Sequence, residues 1–370
     1  MNVPLIDLSA QVAGLREEIM TALARVVDSQ KFILGEEVRS LEERLADYCG
    51  ASYAIGCGSG SDALLLALLA LGIGPGDEVL TVPFTFFATA GSIERAGARP
   101  VFCDVEAATF NIDIEKARQA LEKNPNIKAI LPVDLFGGCA DFDPLNALAK
   151  SRGIAVIEDA AQAIGAEYKG RRAGSLGTIG CFSFYPTKNL GAFGDGGLCT
   201  TDDETLANKL RALRVHGRTG AYYHEWTGVA SRLDAMQAAI LNVKLDHLDA
   251  WSDARVRNAR LYRELLAEIP SITLPQPASY QNRHIFNQFV IRCADRDGLQ
   301  RHMKAHGVGT EIYYPLSLHQ QPCFAALGYR EGDFPVSEEL ARTVLALPIH
   351  SDLRREQIEY VAAQIRAFYV

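Results

Sequence analysis

The chain has 370 residues, beyond the roughly 250–300 at which a single hydrophobic core stops growing, so two domains are expected. Its composition, 48% hydrophobic and 22% charged, is that of an ordinary globular protein rather than a disordered or fibrous one. A formal net charge of −8 argues against a nucleic-acid-binding surface, and no apolar run approaches the ~20 residues of a membrane helix.

The N-terminal MNVPLIDLSAQ lacks the basic-then-apolar pattern of a signal peptide, so a cytoplasmic location is expected. From Val38 to Cys49 apolar residues recur at helical spacing and stop at Gly50, a helix ended by glycine. YAIGC then reads as a strand, followed by a glycine-serine turn and a helix from about Asp62 to Leu71. Strands at 78–82, 99–105, 128–136 and 154–159 alternate with helices at 86–97, 113–122 and 143–152. Apolar strands alternating with amphipathic helices predict an α/β domain with a mostly parallel sheet covered on both faces. Closely spaced strands follow around 164–168, 179–184 and 197–201, and a helix opens near Asp202. The stretch from Ala235 to Ile269 reads as one nearly continuous helix, and the domain transition is placed in it, near Leu248. This divides the chain into a large domain, 1–248, and a smaller C-terminal α+β domain, 249–370, with a strand at 286–292 and helices at 295–306, 336–345 and 354–368. Eight cysteines are scattered singly with no CxxC pair, which reads as reduced buried thiols and no metal site.

Four segments carry candidate chemistry. In FSFYPTKNLGAFGDGG, residues 182–197, Lys188 sits in an apolar, glycine-rich stretch where a permanent ammonium is costly to bury. An amine that forms an imine with an aldehyde removes that charge and acts as a nucleophile. In VIEDAAQAIGA, Asp159 ends a strand and points to the crevice where α/β sheets bind ligands. A strand-end aspartate also serves as a helix cap, and that reading stands beside the first. GCGSGSDALLLAL opens a helix on a glycine-serine turn whose backbone N–H groups suit a phosphate, although such turns are also common connectors. TFFATA places Phe86 and Phe87 just after a strand, either as core or with one ring stacked on a flat cofactor.

The order of phosphate turn, aromatic, strand-end aspartate and lysine resembles the fold type I pyridoxal-phosphate enzymes. Among them the chain is similar to the DegT–StrS sugar aminotransferases, through SGSDAL, PFTFFATA, LPVDLFG, VIEDAAQAIGA, FSFYPTKNLGAFGDGG, SRLDAMQAAIL and YYPLSLHQQPCF. The resemblance implies a seven-stranded-type sheet in the large domain and pyridoxal 5'-phosphate as cofactor. It implies that Lys188 forms the imine and shuttles a proton, that Asp159 pairs with the pyridinium nitrogen, and that Gln162 bonds the ring's phenolic oxygen. Phe86 would stack on the ring, and Gly60, Ser61 and Ser183 would hold the phosphate. Tyr314 and His319 would lie near the sugar, while Ser231 and Arg232 would reach into the other subunit of a homodimer with shared sites.

One departure stands out. The family often has an asparagine that contacts the partner's phosphate in the stretch before its LQAA helix; Ala230 occupies that position here, and Ser231 is the candidate substitute. The function implied is transfer of nitrogen from an amino acid, with glutamate as the expected donor, to a keto sugar on a nucleotide; 3-keto hexoses are favoured because YYPLSLHQQPCFAALGY resembles the branch of the family acting on them, where His319 beside Tyr314 would hydrogen-bond sugar hydroxyls. The alternatives are a 4-keto-6-deoxy sugar substrate, or a non-catalytic regulatory protein on the same fold.

Overall fold

A computed structural model of the chain describes residues 1–369. The first part of the chain carries strands β1 (Tyr53–Cys57), β2 (Glu78–Thr81), β3 (Arg99–Phe102), β4 (Ile127–Ile130), β5 (Ala155–Asp159), the short β6 (Glu167–Tyr168) and β7 (Arg171–Arg172), then β8 (Ile179–Ser183) and β9 (Gly197–Thr201). Seven of them form one sheet in the order β1-β9-β8-β5-β4-β2-β3. The neighbours from β8 to β3 pair in parallel, and β9 alone runs antiparallel, between β1 and β8. Val79, Leu80, Ala129, Ile130, Val156 and Ile157 are buried, which is why these strands read as continuous apolar runs rather than alternating ones.

Helices α1 (Ser9–Ser29), α2 (Glu36–Cys49), α3 (Gly60–Ala70), α4 (Ala88–Arg95), α5 (Ile114–Lys123), α6 (Phe142–Arg152) and α7 (Glu204–Leu213) surround this sheet. The α2 helix ends as expected at Gly50, whose φ of 71° is left-handed. The α1 helix is not anticipated by the sequence reading. Its buried residues Leu15, Ile19, Ala22 and Val26 keep helical spacing and pack on Ala235, Ala239 and Ile240.

The continuous helix expected from Ala235 to Ile269 is two helices, α8 (Ala235–Leu245) and α9 (Leu248–Leu266). The chain turns at Asp246 and His247, with His247 N–H donating to the Lys244 carbonyl at 3.1 Å. The turn lets Leu245 and Leu248 both bury, and a two-residue turn without proline or glycine leaves the apolar period nearly unbroken. Beyond it, β10 (Ile272–Thr273), β12 (Phe289–Cys293) and β13 (Val344–Leu347) form an antiparallel sheet, while β11 (Gln281–Arg283) pairs with β6. Helices α10 (Arg296–Ala305), α11 (Pro335–Thr343) and α12 (Arg355–Tyr369) accompany them. The helix expected at 336–345 stops at Thr343 because Val344–Leu347 pairs with β12 instead. The strand expected from residue 286 starts at Phe289, since Phe286 has a φ of 46° that a ladder does not accept. The strand expected to reach 136 ends at Ile130, and the chain turns through a 3-10 segment at Leu135–Gly137. Seven cysteines are buried and Cys323 is exposed. Among the described residues no helix is long and apolar enough to cross a membrane.

Two buried carboxyls, Asp134 and Glu158, meet behind the end of β5. Glu158 accepts from the backbone N–H groups of Gly174 at 2.6 Å and Leu176 at 3.0 Å, and Asp134 accepts from Ala140 N–H at 2.8 Å. Burial and the neighbouring carboxyl push Asp134 well above the usual carboxylate range, and burial also raises Glu158. Each therefore holds a proton to higher pH than a free carboxyl does. Raised folded pKa values contribute stability that is full below the unfolded pKa and is lost as pH rises through the folded one. Asp134→Asn keeps a donor toward Glu158 without the titration. Its stability relative to the unmodified chain should therefore improve by about 1 kcal/mol or more between roughly pH 5 and pH 8. Thermal melts across that range check this; parallel curves would show that the Asp134 carboxyl is not raised.

Candidate active site

The C-terminal ends of the parallel strands open onto a cavity of about 510 Å³. Gly60, Ser61, Phe86, Asp159, Gln162, Ser183, Lys188 and Tyr314 all line it. Each arrives from a different strand end or turn. The α3 helix follows β1, Phe86 lies between β2 and α4, Asp159 closes β5, and Ser183 closes β8 ahead of the Lys188 loop.

At one end lies the α3 N-terminus. Ser59 caps it by accepting from Asp62 N–H at 3.1 Å, which leaves the first-turn N–H groups of Gly60 and Ser61 without helical acceptors. Those donors, the helix dipole and the Ser183 hydroxyl make an anion cradle. Glycine is required at position 60: a Cβ there would stand 2.6 Å from the Ser183 Cβ. A Cβ on Gly197 would lie 2.3 Å from the Ser59 carbonyl oxygen, so the turn is pressed directly onto β9.

At the other end Asp159 is 4% exposed. The Thr89 hydroxyl donates to its Oδ2 at 2.8 Å, and Ala161 N–H to its Oδ1 at 3.2 Å. Thr85 and Thr89 hydroxyls are 3.0 Å apart, so a hydroxyl chain feeds the carboxyl. Burial raises the Asp159 carboxyl, while these hydrogen bonds and the Lys188 charge oppose the rise. Asp159 is thus set to receive a cation. Lys188 has its amine pushed down to about 8 by desolvation, with Asp159 pulling the other way. A lysine so placed is a usable nucleophile near neutral pH.

Gln162 accepts from Phe136 N–H at 2.7 Å and donates to the Tyr314 hydroxyl at 2.8 Å, keeping one amide hydrogen free. Tyr314, Phe136 and Phe110 have φ of 58°, 58° and 64°, left-handed for residues that carry a Cβ. They pack together: the Phe136 and Tyr314 rings stack at 6.1 Å and 11°, and Phe110 meets Phe136 edge-on at 5.2 Å. Phe86 is 59% exposed at the mouth, while its neighbour Phe87 stacks on Phe324 at 5.6 Å.

Three expected residues lie elsewhere. His319 is fully buried, its Nε2 3.1 Å from Glu338 Oε1 and its ring edge-on to Phe334, so it cannot touch a molecule in the cavity. Sequence could not show this, because Glu338 is far along the chain and also anchors Gly332 N–H. Arg232 does not line the cavity of its own chain. The Ser231 hydroxyl, the candidate substitute for the missing asparagine, is spent at home: it accepts from Gly58 N–H at 3.0 Å and donates to Asp62 at 3.0 Å. Ser231 therefore braces the glycine-serine turn of its own chain. Sequence reasoning missed Thr85 and Thr89, whose four-residue spacing in TFFAT was the available signal. It also missed Tyr185, Asp195 and Tyr313 on the cavity wall, which lie within FSFYPTKNLGAFGDGG and YYPLSLHQQPCF, and Gln288, which lies in no motif singled out.

An anion cradle, an amine of lowered pKa and a buried carboxyl in one cavity suit pyridoxal 5'-phosphate, whose phosphate, aldehyde and ring nitrogen match them in kind. The chain matches the DegT/DnrJ/EryC1/StrS aminotransferase family over residues 14–366. It is similar to a pleiotropic regulatory protein of Geobacillus stearothermophilus, 51% identical with 100% of this chain and 99% of that protein covered. It is also similar to a UDP-N-acetyl-3-dehydro-alpha-D-glucosamine 3-aminotransferase of Acidithiobacillus ferrooxidans, 47% identical over 98% of this chain and 97% of the relative. Among solved structures, S. venezuelae DesV in complex with a ketimine intermediate superposes with a TM-score of 0.96 at 42% identity, covering 100% of this chain and 98% of the other.

The lowered Lys188 pKa is directly measurable. Acylation of the cofactor-free protein, quantified by peptide mass spectrometry, should label Lys188 with a midpoint near pH 8, below that of surface lysines. The sign follows because only the neutral amine reacts. A midpoint at the ordinary lysine value would show that the amine is solvated.

Proposed function

Because this chain belongs to the DegT/DnrJ/EryC1/StrS aminotransferase family, we propose that it transfers an amino group from an amino acid, glutamate being the expected donor, to C3 of a keto hexose linked to a nucleoside diphosphate. The observation that carries this reading is the convergence of Lys188 and Asp159 on one cavity whose far end is an anion cradle. Pyridoxal 5'-phosphate is the cofactor, and when bound it supplies an electron sink for the carbanion left after proton removal.

The chain's own residues do the rest. Gly60 and Ser61 N–H groups, with the Ser183 hydroxyl, bind the phosphate. Asp159, held by Thr89, keeps a proton on the ring nitrogen, and the free amide hydrogen of Gln162 is available to the phenolic oxygen. Phe86 covers the ring at the mouth. The Lys188 amine would hold the aldehyde group and would be the base that takes up and returns a proton in the cavity. C3 is favoured because the 47% identical relative is named for a 3-dehydro sugar. His319, expected beside the sugar, is sealed behind Glu338 and lends C3 no support.

We place two copies of the chain in the working enzyme. Phe32, Ile33, Tyr185 and Phe193 are exposed apolar or aromatic side chains, and Tyr222, at 93% exposure, projects from the 217–227 loop. Arg232, absent from its own cavity, would serve the partner's. A regulatory role is the second reading, favoured by the name of the 51% identical relative. The paired Lys188 and Asp159 weigh against a chain that has abandoned catalysis.

Three outcomes test the reading. Borohydride should fix the cofactor mass on the Lys188 peptide. Asp159→Asn should lower turnover of a 3-keto nucleotide sugar with glutamate by on the order of 100-fold or more while the protein stays folded. Mixing inactive Lys188→Ala and Arg232→Ala subunits should restore part of the activity, because some sites then carry both residues. An unchanged Asp159→Asn rate, or a fully active monomer, overturns the corresponding assignment.

A further inference from the structure

Outside the cavity wall, one buried charge has no obvious employment. Lys244, on α8, is 4% exposed, and desolvation alone lowers its amine to about 8, with no charged neighbour offsetting the burial. A lysine buried without a carboxylate is costly unless something holds its ammonium. Its Nζ donates to the Gly191 carbonyl. The Phe193 and Trp251 rings lie 5.5 and 5.9 Å from Nζ and supply the remaining contacts.

Gly191 belongs to the loop that carries Lys188. The loop folds back so tightly that a Cβ on Gly191 would stand 2.3 Å from the Pro186 carbonyl oxygen, enclosing Lys188 between the two. Lys188 N–H donates to the Tyr185 carbonyl and Ala192 N–H to the Phe184 carbonyl, each at 2.8 Å. A second tether comes from the same helix: Gln237 accepts from Phe193 N–H at 2.8 Å. Gln237 and Lys244 are seven residues apart on α8 and therefore share one face. The N-terminus of α8 is fixed in turn by Asp234, which accepts from Gln237 N–H at 2.9 Å, and by Ala235 N–H donating to the Phe32 carbonyl at 2.9 Å.

We propose that Lys244 is a positioning residue for Lys188: its ammonium grips the Gly191 carbonyl and, with Gln237, fixes the returning limb of the loop so that the Lys188 amine is presented to the cavity. The inference rests on the reading of Lys188 as the reactive amine, and it concerns no contact between Lys244 and any ligand. The alternative role for Lys244, filling space between α8 and the loop, asks only for its methylene stem. Methionine supplies that stem without the donor, and arginine supplies a donor on a similar stem.

The test is hydrogen exchange followed by mass spectrometry on the cofactor-free chain, combined with the acylation rate of Lys188. In Lys244→Met, amides at 188–193 should exchange about tenfold faster or more, Lys188 acylation should change with them, and peptides of α3 and β5 should keep their protection. Lys244→Arg should restore most of the loop protection. In the reconstituted enzyme the same Met variant should lose kcat in both half-reactions while KM for either substrate moves little. Should Lys244→Met not fold, Lys244→Gln decides by the same exchange measurement, with an acceleration of about threefold confined to the loop expected. Unchanged exchange at 188–193, or acceleration spread evenly over the chain, overturns the proposal. Failure of Lys188 to carry the cofactor would instead strike the functional reading and leave the exchange result standing.

Discussion

Desolvation of one amine opposite one carboxyl is the constraint on which the rest of the site depends. Lys188 and Asp159 are each placed where water is scarce, and each is shifted toward its neutral form by that scarcity and back by the other's charge. Such a pair is useful only if its surroundings do not relax, because a loop that opened would rehydrate both groups and return them to ordinary behaviour. The architecture is arranged against that relaxation. Asp159 ends a strand buried in the middle of the sheet, its two carboxyl oxygens are held by Thr89 and by the backbone of Ala161, and its own backbone pairs with Val133 and Asp134.

The wall beneath Tyr314 shows what that rigidity costs. Left-handed backbone in a residue with a Cβ carries a penalty on the order of 1 kcal/mol, and three such residues meet there. Phe110, Phe136 and Tyr314 keep these conformations because their rings interlock with Phe84 and because Gln162 takes up the Phe136 N–H and engages the Tyr314 hydroxyl. One side chain thereby couples a strained turn, an aromatic cluster and the cavity. Gln162 is placed as firmly as Asp159, although nothing about a glutamine after a strand announces it.

Ser231 has a comparable linking role at the opposite end. The Ser231 hydroxyl is bound to Gly58 and Asp62, at the start of the glycine-serine turn. The segment leading into α8 is thus tied to the cradle, and α8 itself is tied to the Lys188 loop through Gln237 and Lys244. The cradle and the Lys188 loop share a single helical support, packed between α1 and α2.

Much of this was legible from the chain alone. The alternation of apolar runs and amphipathic helices determined the class of the fold, because burial on both faces of a parallel sheet demands it. Lys188, Asp159 and the glycine-serine turn were legible because each breaks the local expectation for its segment: a charge in an apolar stretch, a carboxylate at a strand end, glycines where a helix begins. The α1 helix also carries a legible apolar period in Leu15, Ile19, Ala22 and Val26. Tertiary structure decided what depends on distant partners. It ended α11 at Thr343 by pairing Val344–Leu347 with β12, broke the long helix at His247 so that two leucines could bury, and turned His319 away from the cavity toward Glu338. It brought Thr89 to Asp159, and Lys244 to Gly191, across gaps that no local period spans. Sequence periodicity reports which face of an element is apolar. Which polar group meets which is set by the fold, because a buried donor must find its acceptor wherever in the chain that acceptor lies.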